Sequence, residues 1–124
     1  MIDAKFVTAA LCMTLGLATA ARADGDAVRG EARFQDCAAC HRLDGVNNVG
    51  PSLHGIFPRK AGELADFRYS SAMKRSGIVW TPETLNTFIS DPQAMVPANR
   101  MPYAGMANAS DRADLIAYLS KASQ

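Results

Sequence analysis

The chain has 124 residues, of which 48% are hydrophobic and 20% charged, which fits one soluble domain and excludes a disordered chain or a membrane-spanning bundle. The formal net charge is +1. With no basic excess, nothing supplies the sustained positive field that a nucleic-acid binder needs.

The first 23 residues read as a cleavable secretory signal. Lys5 is followed by an apolar and small-residue run from Phe6 to Ala20 and then by Ala21-Arg22-Ala23, a small-x-small cleavage site. The run is too short, and too rich in Ala and Thr, for the roughly 20 apolar residues of a bilayer span. Removal would start the mature chain at Asp24, leaving one domain over 24–124 and no stable membrane insertion. Cys12 lies inside the signal, without the small residue just before it that lipid attachment requires, and receives no role. Setting aside Lys5, Arg22 and Asp3 leaves equal numbers of acidic and basic residues, so the mature chain is formally neutral.

In the mature chain Asp26 can cap a first helix with Ala27, Gly30 and Phe34 on one face. That helix runs straight into Cys37-Ala38-Ala39-Cys40-His41. From Arg42 to Tyr69 the density of Gly, Pro and Asn predicts a long loop, and loops of that length in compact domains usually carry function. A short helix is expected from Ser70 or Ser71 to about Arg75, closed by Gly77. Thr81-Pro82-Glu83 then starts another, with Leu85, Phe88 and Ile89 as its buried stripe and Pro92 as its stop. Residues 91–109 read as a second loop, after which Ser110 caps a last helix. Its first turn carries Asp111 and Asp114, and its apolar face carries Leu115, Tyr118 and Leu119. No strand-like alternation is long enough to matter, so the fold class is all-α.

Cys37-x-x-Cys40-His41 is the segment with chemistry in it. Two thiols within one helical turn can each add to a haem vinyl group, and the next histidine then reaches the iron from that side. A disulfide, a redox dithiol and half a zinc site share the spacing. Zinc would need another pair of good ligands, and outside the motif only His54 remains. A redox dithiol belongs in a strand-helix unit, which this sequence does not offer.

Along nearly all of its mature length the chain resembles the class I cytochrome c family. Besides the Cys-x-x-Cys-His segment, the likeness lies in Gly50-Pro51-Ser52-Leu53-His54-Gly55-Ile56-Phe57 with Arg59-Lys60 and Gly62, and in Gly77-Ile78-Val79-Trp80. It continues in Arg100-Met101-Pro102-Tyr103-Ala104-Gly105 and Asp114-Leu115-Ile116-Ala117-Tyr118-Leu119. The resemblance implies three main helices, a short helix and long loops wrapped around one covalent haem c. It implies Met101 as the second axial ligand beside His41; residue chemistry by itself leaves Met73, Met95 and Met106 open. It also implies that the Pro51 carbonyl accepts the other ring N–H of His41, that Arg59, Tyr69 and Trp80 serve the haem propionates, and that Gly30 and Phe34 cross against Leu115 and Tyr118. Two residues depart from the pattern: Phe88 stands where many relatives carry a tyrosine, and Met73 where many carry an asparagine.

By this resemblance the chain is a periplasmic, monomeric electron carrier with no catalytic residues, exchanging one electron at a time between a quinol-oxidising complex or dehydrogenase and a terminal acceptor. The competing expectations are a dedicated haem subunit of one periplasmic dehydrogenase and, further off, a haem enzyme or gas sensor with an open sixth iron position.

Overall fold

A computed structural model describes residues 24–124; residues 1–23, expected to be a cleaved signal and including Cys12, lie outside the described residues. The helices are α1 (Ala27–Ala38), α2 (Ser71–Arg75), α3 (Pro82–Ser90), α4 (Pro92–Met95) and α5 (Ala109–Ala122).

Each helix starts on a side chain suited to the task, because the first backbone N–H groups of a helix have no partner within it. Asp26 accepts from the Arg29 amide at 2.9 Å, and Ser70 from that of Met73 at 3.0 Å. Thr81 and Thr84 cap one another reciprocally at the head of α3, with Pro82 just inside. Two expectations are corrected. The start of α5 is capped by Asn108, whose Oδ1 accepts from the Asp111 amide at 3.0 Å, and Ser110 lies inside the helix. The loop expected from 91 to 109 contains the single turn α4, because Asp91 accepts from the Ala94 amide and Pro92 can occupy the first helical position.

The fold is mostly helical, with one addition to the all-α expectation. Strands β1 (Arg59–Lys60) and β2 (Val79–Trp80) form a two-residue antiparallel ladder with Arg59 opposite Trp80. Such a ladder is too short to leave a periodic signal in sequence, yet it sets two residues expected at the site side by side.

Helices α1 and α5 cross and form the frame. At the crossing a methyl group on Gly30 would lie 1.9 Å from the Asp114 carbonyl oxygen, so only glycine permits this approach. Phe34 meets Tyr118 with ring centroids 5.5 Å apart, as the resemblance implied. Asp114, expected to act on the helix dipole, does something else. It is 3% exposed, accepts the Asp26 amide at 2.7 Å, and takes the Arg29 guanidinium at 2.8 and 3.1 Å. Leu85, Phe88 and Ile89 of α3 and Leu115 and Leu119 of α5 supply much of the core.

Candidate functional site

The frame and the long loops enclose a cavity of about 320 Å³. Its walls include Leu85, Phe88 and Ile89 from α3, Leu115 and Leu119 from α5, and Leu53, Ile56 and Phe67 from the intervening loop. An apolar chamber with a few polar groups converging on it is the usual form of a cofactor site.

The motif enters from the end of α1. Cys37 lies in the last turn; the amides of Cys40 and His41 both bond the Cys37 carbonyl, at 3.0 and 2.9 Å, and turn the chain back toward the chamber. Both cysteines are free and half-buried. Burial, assisted by the negative charge of Asp36 and by Cys40, pushes the Cys37 thiol up to about 11, so at neutral pH it is a thiol. A protonated thiol is a poor redox nucleophile. Among the described residues no three His, Cys, Asp or Glu side chains gather into a metal cluster.

The His41 ring is fixed on two counts. Its Nδ1 lies 2.7 Å from the Pro51 carbonyl oxygen, and since a carbonyl can only accept, Nδ1 must donate. Nε2 is left with a lone pair, the arrangement a metal-binding imidazole requires. Gly50 packs on the ring so closely that a methyl group there would fall 2.5 Å from Cε1. Burial pushes the His41 pKa down, opposed by the bond to Pro51 and assisted by the Arg59 charge, which favours the neutral, ligating form.

Every residue expected at the site, Cys37, Cys40, His41, Pro51, Arg59, Tyr69, Trp80 and Met101, lines this one cavity. Of the other methionines Met73 lines it too, whereas Met95 and Met106 are not among its lining residues; Met106 is buried in the core with its amide on the Ile89 carbonyl. The two departures from the family pattern, Met73 and Phe88, are both on the lining, and Phe88 packs against Trp80 with ring centroids 5.0 Å apart.

Arg59 donates to the carbonyls of His54 at 3.0 Å and Ser52 at 2.8 Å. With five N–H donors, it keeps others free for an anion in the chamber. Burial raises the Tyr69 pKa, and the nearby Arg59 charge acts the other way.

Two residues were missed in the sequence. Ser52 is 2% exposed; its Oγ takes the amides of Gly45 and His54, and its own amide donates to Asn47, which knits the loop beside Pro51. Asn99, two residues before Met101, is buried and bonds the Met101 amide. An asparagine that can accept from the amide two residues on is a turn signal, and that local signal was available.

Two thiols, one oriented imidazole and a thioether around an apolar chamber form a donor set that fits a covalently attached haem. The family model described as cytochrome c matches residues 27–123. Cytochrome c2 from Agrobacterium tumefaciens is 46% identical over 101 residues, covering 77% of this chain and 91% of that protein. Cytochrome c-type cyt cy from Rhodobacter capsulatus is 45% identical over 97 residues, covering 77% of this chain but only 49% of that longer protein. Among solved structures, cytochrome cH from Methylobacterium extorquens superposes with a TM-score of 0.74 at 41% identity, covering 77% of this chain and 98% of that one. With the family model spanning most of the chain and the fold matching as well, this protein belongs to the cytochrome c family of electron-transport proteins, and its cofactor is a single c-type haem.

Proposed function

We propose that the chain is exported to the periplasm, loses residues 1–23 and works as a monomeric, diffusible one-electron carrier between a quinol-oxidising complex or dehydrogenase and a terminal acceptor. Cys37 and Cys40 hold the haem through thioether bonds, and His41 and Met101 ligate its iron. When bound, the haem supplies an iron that gains or loses one electron without bond rearrangement.

The chain's own residues do the rest. Pro51 and Gly50 fix His41 in one tautomer and one orientation. Apolar α3 and α5 side chains line the chamber, and with the haem in place they would leave little solvent to reorganise when charge changes there. Arg59, Tyr69 and Trp80 are available to the propionates, which inside protein need charged or neutral hydrogen-bond donors. Held by His41 and Met101, the iron would carry an imidazole and a thioether, a pair that would favour Fe(II) and leave it no open coordination site for substrate, which suits electron transfer.

The observation that carries this proposal is the pairing of His41, its Nδ1 already committed to Pro51, with Met101 on the lining of the same chamber. The test is absorption of the reduced holoprotein with and without carbon monoxide. A saturated His/Met iron should leave the spectrum almost unchanged, and Met101→Ala should make it respond strongly. A strong response from the unaltered protein would instead indicate an open site and a gas-binding or enzymatic role. Terminal sequencing of the exported protein should begin at Asp24.

A further inference from the structure

The segment leading to Met101 is built around one side chain. It begins with the single turn α4 and passes through Ala98, whose φ of +65° makes it the one non-glycine left-handed residue among the described residues. For an L-residue other than glycine that conformation is strained, so something next to it must hold the chain in place.

Asn99 follows, 8% exposed. Its Nδ2 donates to the Pro92 carbonyl at 3.0 Å and to the Val96 carbonyl at 2.9 Å, while its Oδ1 accepts the Met101 amide at 2.8 Å. Its backbone is engaged as well: its amide donates to Val96 at 3.2 Å, and its carbonyl accepts from Gln93 Nε2 at 3.2 Å. The polar groups of Asn99 are thus all spent within residues 92–101, bridging α4 to Met101.

These bonds are not equal. The Pro92 carbonyl also accepts from the Val96 amide, and the Val96 carbonyl from the Asn99 amide, so both keep a partner if the carboxamide is removed. The Met101 amide, by contrast, finds its acceptor among the described residues in Asn99 Oδ1 alone.

We propose that Asn99 is a positioning residue that holds Met101 within reach of the iron, an inference that rests on Met101 being an axial ligand. A neutral thioether is a weak donor, so its occupancy of the iron depends on how little the chain must still be ordered when the bond forms. Without Asn99 the Met101 amide must find water, and the conformations that satisfy it draw the segment outward.

The test uses the ferric holoprotein and free imidazole, which competes with the methionine for iron; displacement is followed by the weak near-infrared sulfur-to-iron band. Asn99→Ala should raise imidazole affinity about tenfold, the effect of stranding one buried donor. Asn99→Ser, whose hydroxyl can still accept from the amide two residues on, should fall in between. Asp26→Ala, which removes the cap of α1 far along the chain, should lower the melting temperature and leave imidazole affinity unchanged. An unchanged affinity in Asn99→Ala overturns the proposal, and so does an equal rise in Asp26→Ala, which would mark general destabilisation. Met101→Ala separates the two premises. If the band survives in that variant, Met101 is not the ligand and both fall; if it vanishes while Asn99→Ala behaves normally, only the role of Asn99 is lost.

Discussion

The two sides of the cavity are built on different terms. On the His41 side the ring is wedged between Gly50 and the Pro51 carbonyl, and the chain around it is tied by backbone bonds from Cys40, His41 and Gly50 and by the hub at Ser52. On the Met101 side one carboxamide, Asn99, holds a segment that passes through a strained Ala98. Redundant steric and hydrogen-bonded fixing makes the first side stiff. The second depends on few hydrogen bonds, so it is the side expected to open first under stress. Both rest on the α1–α5 crossing.

Removing the haem attachment should have the largest effect, since it erases the distinction between the two sides. The described residues 24–124 have a small core, and many of their long-loop side chains line the cavity the haem would fill. Cys37→Ala with Cys40→Ala should therefore give a largely unfolded, rapidly degraded product. Far-ultraviolet dichroism with native helix content and a sharp melt in that variant would contradict it.

Gly50→Ala tests the stiffness of the His41 side. The residue has no left-handed φ, so a methyl group there is purely a steric wedge against the ring. Overpacking of this kind should cost about 2 kcal/mol, or roughly 10 °C in melting temperature. A melt within a degree or two of the parent would mean the ring can move aside, and the contrast between the sides would shrink.

Asp114→Asn probes the frame common to both. Hydrogen bonds from Arg29 and from the Asp26 amide hold the Asp114 carboxyl below the usual carboxylate range. Its stabilising contribution is therefore present above the unfolded pKa near 4 and is lost as pH falls through the lower, folded value. The asparagine variant lacks that titration, so its stability should lie below the parent at neutral pH and converge with it in acid. Denaturant midpoints measured across the acid range read this directly, and parallel curves would exclude it.

The smallest effect is expected on the Met101 side. Ala98→Gly relieves a left-handed strain of about 1–2 kcal/mol and loses up to ~1 kcal/mol to the flexibility of the unfolded chain. The net gain should be roughly 0.5 kcal/mol, or about 3 °C. Destabilisation in a denaturant melt would show that Ala98 is not strained.

Much of this was legible in the amino-acid order because the signals were local. A Cys-x-x-Cys-His segment, a glycine-rich loop, and Asp, Ser or Thr just ahead of an apolar stripe each express a short-range rule, and the helices begin close to where those rules put them. The misses were local too, but ambiguous: Asn108 and Ser110 can both cap a helix, and Asp91-Pro92 can either stop a helix or start one.

What sequence by itself determined is therefore the helical framework, the attachment motif and the identity of the candidate ligands. Tertiary structure decided which candidates meet. His41 received its tautomer from a carbonyl ten residues away, Arg59 was paired with Trp80 by a ladder of two residues, and Met101 and Met73 came to the lining while Met106 went to the core. It also made Asp114 the partner of Arg29 across two helices. Each of these depends on chain closure between distant residues, and neither periodicity nor local propensity reaches that far.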